Sequence, residues 1–174
     1  MGTLNLSNGV ALSGTGSIFN ISADRVDKPD GISFFAGANT TVTQTSSNTW
    51  VTATNLNDVS GGYTHNNTGG AYDTSTCVFT VPVSGIYMFG YNCRIDSIDV
   101  GFCRALISVD DGNNVDFMAH SLAHFNETVN YHTLTLTANY NLTAGQTVRP
   151  KNFASNDTLW YTVSESQFWG YYVG

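Results

Sequence analysis

Residues 74–92 read TSTCVFTVPVSGIYMFGYN, the most apolar run of the chain, with Pro82 and Gly85 in its middle. A proline has no N–H to give a sheet ladder and suits the end of a strand, while glycine accepts the backbone of a tight bend. The run therefore reads as two strands and a corner. CVFTV ends at Pro82, and GIYMFGYNCRI starts afresh at Gly85. Side chains of a strand alternate between its faces, so Tyr87, Phe89, Tyr91 and Ile95 share one side of the second strand and Ile86 and Met88 the other. The aromatic set is assigned to the core. Ile86 and Met88 are expected to meet an opposite sheet edge or another subunit.

Around that run the chain is crowded with Asn, Thr, Ser and Gly. Charged residues are 11% of the 174, well under the usual ~25%, so neutral polar groups must carry solubility. This mixture favours pleated strands and positive-φ turns and is poor helix material. Six Lys and Arg against thirteen Asp and Glu give a net charge of −7, and no basic patch is evident, which argues against a nucleic-acid partner. No apolar run is long enough to span a bilayer, so no membrane insertion is expected. The opening MGTLNLSNGV lacks the charged and apolar regions of a signal peptide, as in a cytoplasmically made chain or an excised fragment. Cys77, Cys93 and Cys103 are odd in number and show no CxxC spacing, so they read as reduced buried thiols, with a cross-strand Cys93–Cys103 pair as the alternative.

Period-two patterning runs the length of the chain. LNLS and VALS flank Asn8-Gly9, a strong hairpin signal, and SIFNISA follows. This first segment has too few large side chains for a core of its own. Pro29-Asp30-Gly31 is a turn cluster and sets the boundary, giving an N-terminal β-hairpin or stalk over residues 1–29 and a head over residues 30–174. In the head, ISFFAGA, TTVTQ, TWVTATNL, RALISV, NVDFMAH, YHTLTLTANYNL, TVRPKNFA, TLWYTVS and QFWGYYV read as further strands. SGGYTHNNTGGAYD reads as a long loop, and Asp110-Asp111-Gly112-Asn113 as a hairpin turn. About ten short strands with frequent turns, and no helical period, imply an all-β sandwich or jelly roll.

Five stretches, in order, resemble the complement C1q-like globular head, a relative of the tumour necrosis factor fold. They are Ile32-Ser-Phe-Phe-Ala36; Gly69-Gly-Ala-Tyr-Asp73; Phe79, Pro82, Gly85, Tyr87 and Phe89; Leu134, Leu136, Leu142, Gly145 and Val148; and Phe168-Trp-Gly170-Tyr-Tyr. The resemblance covers residues 32–174. It implies a ten-stranded jelly-roll sandwich, assembled as a homotrimer and built for binding rather than catalysis, with its first and last strands together. Secreted members carry a signal peptide and a Gly-X-Y stalk. Here an Asn/Thr-rich β-segment stands instead and resembles, in texture, the trimeric stalks of phage and viral fibres. That points to a virion appendage, on capsid or tail, touching other virion proteins and a host-surface carbohydrate or protein receptor. If the chain is not viral, the expected location is extracellular.

Catalytic signatures are missing: no GxSxG, HExxH or Walker loop occurs, and Gly14-Thr15-Gly16 is not completed to GxGxxG. His120 and His124 are four apart and share one face of a strand, with His132 nearby, so three copies could offer imidazoles to an axial metal. Otherwise no cofactor is expected. Calcium finds few carboxylates in HSLAHFNETVN, which has Asn126 and Glu127. Asp110 and Asp111 read as turn residues. Seven Asn-x-Ser/Thr triplets, from Asn5 to Asn156, are what chance yields in so Asn- and Thr-rich a chain. Tyr63, His65 and Tyr72 combine aromatics with neighbouring amides, as a saccharide surface does. At the C-terminus, Phe168, Gly170 and Tyr172 share one face and Trp169, Tyr171 and Val173 the other. A strand apolar on both sides is buried on both, so Trp169, Tyr171, Val173, Ile86 and Met88 are the expected subunit interface.

Overall fold

The corner at Pro82 forms as its residues require. In the computed structural model the chain runs as strand over Val78–Thr80, turns through residues 81–84, and resumes as strand over Gly85–Ile98. The structure describes residues 2–5, 11–14, 31–44, 48–59, 66–98, 101–110, 115–127, 129–155, 158–161 and 165–174. It divides into two compact units, Met1–Asp30 and Gly31–Gly174.

In the first unit β1 (Gly2–Asn5) pairs antiparallel with β2 (Ala11–Gly14), Leu4 opposite Leu12, a register centred on Asn8. Asn8-Gly9 itself and SIFNISA lie outside the described residues.

The second unit is a two-layer antiparallel sandwich, and no helix occurs among its described residues. One sheet has the order β12 (Val129–Leu142), β9 (Gly85–Ile98), β15 (Gln167–Tyr172), β3 (Ser33–Gly37), β6 (Asn66–Thr68). The other has the order β11 (Val115–Phe125), β10 (Gly101–Asp110), β13 (Thr147–Ala154), β8 (Val78–Thr80), β7 (Tyr72–Asp73), with β5 (Val51–Thr52) also on β13. A separate pair joins β4 (Val42–Gln44) to β14 (Thr158–Tyr161). The first and last strands of the head, β3 and β15, are neighbours. The strands are not uniformly short: β9 and β12 have 14 residues each. The Gly/Asn loop after Ser60 is in part a strand, since Asn66–Thr68 pairs with β3.

The core between the sheets is aromatic. Tyr87, Phe89, Tyr91 and Ile95 are all fully buried, as their alternation requires. Phe34 stacks on Tyr72 at 4.4 Å between ring centroids and also meets Phe79 at 5.2 Å and Phe168 at 4.9 Å. Four of the five family-like stretches thus converge on one cluster; the remaining one supplies Leu134, Leu136, Leu142 and Val148 to the same core.

Two glycines make the close contacts of β9 and β15 possible. Gly170 lies opposite Phe89, and a Cβ there would fall 2.4 Å from the Phe89 ring. One register step on, Gly90 lies opposite Trp169, and a Cβ there would fall 2.1 Å from the indole. On the inner side Phe89 fills the space left by a glycine; on the outer side Trp169 does so.

All three cysteines are buried and free. Cys93 and Cys103 are not on neighbouring strands but on β9 and β10 of the two facing sheets, and both remain free thiols. Burial pushes both thiols up to about 12, and Cys77 upward too. The folded state therefore holds these protons above the ordinary thiol value of about 8.5, where the unfolded chain releases them, so stability falls as pH rises from there toward about 12. Each thiol costs up to about 1.4 kcal/mol per pH unit in that window. A Cys93→Ala/Cys103→Ala variant is expected to flatten the decline of the urea midpoint between pH 8 and 10, and a thiol reagent should label the native protein only on unfolding.

Candidate functional site

The even-numbered residues of β9 and the odd-numbered residues of β15 point away from the core. Their sheet therefore carries an outer face on which Trp169 lies over Gly90 and stacks with Tyr171 at 6.1 Å and 11°. The Tyr171 hydroxyl donates to Met88 Sδ at 3.0 Å. Backbone hydrogen bonds tie Ile86 to Val173 and Gly174, so their side chains continue the patch. Ile86 is 46% exposed, Tyr171 42% and Val173 54%. The fold thus brings Trp169, Tyr171, Val173, Ile86 and Met88 together on one surface. Together they form one contiguous, partly exposed apolar surface.

Its surroundings are polar. Thr133, Thr135 and Thr137 of β12 are exposed beside it. Arg94 on β9 lies 4.3 Å from the Tyr131 ring centre and pairs with Glu165. An apolar centre with a polar rim is the usual anatomy of a subunit interface.

Of the residues expected to touch a saccharide, Tyr72 alone is among those described. Tyr63 and His65 lie outside the described residues. Tyr72 is 2% exposed, stacks on Phe34 and donates its hydroxyl to the Leu56 carbonyl at 2.5 Å. Burial, with the Cys77 thiol nearby, pushes its phenol pKa far upward. Asn67 holds its backbone from both sides, Nδ2 donating to Tyr72 O and Oδ1 accepting from Tyr72 N. Tyr72 is a core residue, with no surface to offer a ligand. Tyr72→Phe removes one buried hydrogen bond and leaves the Leu56 carbonyl unpaired, so a loss of about 1–3 kcal/mol is expected in denaturant titrations.

His120 and His124 do share a face, exposed on the outer side of β11, with His120 in mid-strand and His124 one residue before the strand's end at Phe125. His132 is not with them; its ring packs edge-on against Phe125 at 5.1 Å. Among the described residues no three His, Cys, Asp or Glu side chains gather as a metal would need. The histidines and the aromatic patch belong to opposite layers, so a trimer closed through the patch directs His120 and His124 away from it. Asp110 is an ion-pair partner, 3.6 Å from Arg149, besides ending β10 at the turn.

One feature of the surface escapes the sequence pattern altogether. Arg104 on β10 is far in sequence from Arg149 and Lys151 on β13, yet β10–β13 pairing puts all three on one sheet, with Lys151 opposite Leu106, two residues along from Arg104, and Arg149 opposite Ser108. Contrary to the expectation from composition, the head has a basic patch.

Against known proteins, the family model described as "C1q domain" matches residues 33–173. No curated protein matches the chain. Among solved structures, the globular domain of zebrafish complement 1qA protein is similar with a TM-score of 0.61 at 18% identity, covering 83% of this chain and 98% of that one. Murine APRIL is similar with a TM-score of 0.59 at 9% identity, covering 81% and 98%.

Proposed function

The chain belongs to the C1q-domain family, and from that premise we propose that it is a homotrimeric recognition head carried as an appendage of a virus particle. Domains of the C1q and tumour necrosis factor type commonly form homotrimers, generally bind rather than catalyse, and are typically extracellular or secreted. The observation that carries the trimer for this chain is the exposed patch of Trp169, Tyr171, Val173, Ile86 and Met88. Burying it between copies removes half-exposed aliphatic and aromatic surface from water, at about 25 cal/mol per Å².

Three equivalent sites on one rigid head turn weak contacts into firm adhesion, raising apparent affinity by ~10²–10⁴ where geometry allows simultaneous engagement. The host-surface receptor is a carbohydrate or protein, and residues 60–65, with Tyr63 and His65, remain candidates to touch it. The virion reading rests on the Asn- and Thr-rich first unit, whose paired β1 and β2 have the texture of a fibre stalk. A secreted recognition protein is the second reading, favoured by the usual extracellular setting of such domains. Mass spectrometry of purified particles against culture supernatant separates the two. A glycan array with the isolated chain separates adhesion from simple decoration of the particle. Binding that falls with Tyr63→Ala supports adhesion; a silent array with tight association to other virion proteins supports decoration.

A further inference from the structure

The head is acidic: from Gly31 onward it carries ten Asp and Glu against four Lys and Arg. Three of those four cations, Arg104, Arg149 and Lys151, stand on the outer face of the β11–β10–β13 sheet. On β10, Cys103, Ala105, Ile107 and Val109 fill the core, while Phe102, Arg104 and Asp110 are half-buried on the outer side, where Leu106 and Ser108 are covered by their neighbours. Register then places Arg104 beside Leu122 and Phe153, and Leu106 between His120 and Lys151.

Rings pave this face. Phe102 and Phe153 stack at 5.6 Å and 12°, Trp50 leans on Phe153 at 5.2 Å, and His124 meets Phe102 at 5.5 Å. The Arg104 guanidinium lies over both phenyl rings, at 5.1 and 5.8 Å from their centres. Its Nε is buried without a hydrogen bond, and no carboxylate among the described residues pairs with its head. Arg149, by contrast, is engaged by Asp110 and by Thr147. Burial, then the charge of Arg149, pulls the Lys151 amine below its ordinary value, while Asp110 acts the other way. Among the described side chains three cations stand here against the Asp110 carboxylate, so this face is net positive on a head that is acidic overall.

We propose that this face binds a carboxylated saccharide, a uronic-acid polysaccharide, with its carboxylates received by Arg104 and Lys151 and its pyranose rings laid on Phe153 and Trp50. A guanidinium fixed flat on aromatic rings is pre-organised for carboxylate, since little freedom remains to be lost on binding. The C–H face of a pyranose suits an aromatic floor, and the carboxylate supplies the negative charge that the cations lack. An acidic peptide fits less well. Both edges of β10 and of β13 are already paired, so no extended chain can add to them as a strand. The surface lies on the layer opposite the Trp169 patch, so the proposal stands or falls separately from the trimer.

The test is binding of the full chain to polygalacturonate by isothermal titration, beside fully methyl-esterified polygalacturonate, dextran sulfate and poly-L-glutamate. Polygalacturonate should bind, and the other three at least tenfold more weakly. Arg104→Gln and Lys151→Gln should each weaken binding about tenfold, as loss of a charge-assisted hydrogen bond does. Trp50→Ala should weaken it severalfold without changing the salt dependence. Circular dichroism checks that each variant folds, and if Arg104→Gln does not, Lys151→Gln on the same face decides. Failure of polygalacturonate to bind overturns the proposal. Equal affinity for dextran sulfate reduces the face to a general cation patch, equal affinity for polyglutamate makes its occupant a peptide, and full binding by Lys151→Gln moves the site elsewhere; each also overturns it.

Discussion

An Ile86→Arg/Tyr171→Arg double variant should scatter light as a monomer of 18.8 kDa, where the unaltered chain scatters at three times that mass. Both positions are nearly half exposed in the single chain, so an arginine at either can reach water and the fold has no cause to change. In an assembly closed through this face the balance reverses. Full burial of a large apolar side chain is worth about 1.5–3 kcal/mol, and the exposed half of Ile86 and of Tyr171 forfeits part of that gain in every copy. An unpaired arginine forced into the interface then costs several kcal/mol per ion. The two terms act together and are repeated by symmetry, so association should weaken by many orders of magnitude. Trp169 is best left alone, because its indole fills the space over Gly90 and its loss would disturb the sheet itself. Far-ultraviolet circular dichroism should be unchanged in the double variant. A monomeric parent chain, or a double variant that remains trimeric, would remove the Trp169 patch from the interface.

The core could be read from the sequence because its signal is local. Tyr87, Phe89, Tyr91 and Ile95 alternate within one strand, and Pro82 and Gly85 fix where that strand begins. The same logic found the outer set, since Ile86 and Met88 are simply the other parity. Strand extent was harder. In β11 the inward positions include the small Ala119 and Ala123, so NVDFMAH stops short of the strand's end at Phe125, whereas YHTLTLTANYNL marks β12 to within two residues. That weak apolar face hid how far the strand runs past His120, through His124 to Phe125. Tyr72 misled for another reason: two glycines and a run of amides precede it, which is loop texture, while its partner Phe34 lies 38 positions earlier. The basic face was unreadable in principle. Arg104 and Phe153 meet only because β10 and β13 pair in one particular register, Trp50 joins them through the pairing of β5 with β13, and no short window of sequence contains either fact.

The same non-local convergence makes Phe34 a costly single side chain to remove. Its ring touches Tyr72 from β7, Phe79 from β8 and Phe168 from β15, so it joins both sheets at one point. It is 2% exposed, and the rings around it are held by their own strands, so little can collapse into the space it would vacate. Phe34→Ala should therefore lie in the upper part of the range for such truncations, about 3–5 kcal/mol. That is a large share of a total stability of about 5–15 kcal/mol. Gly170→Ala probes the same joint from the opposite side, by addition. The new methyl would fall 2.4 Å from Phe89 and 2.9 Å from Phe34, and overpacking of this kind costs about 1–3 kcal/mol. Because association would add a concentration-dependent term to any unfolding curve, both changes belong in the Ile86→Arg/Tyr171→Arg background, measured by urea titration. Phe34→Ala should then be the costlier of the two. If it costs less than about 1 kcal/mol, the neighbours do close the gap, and the aromatic cluster is a tolerant filling rather than the joint that locks the sheets together.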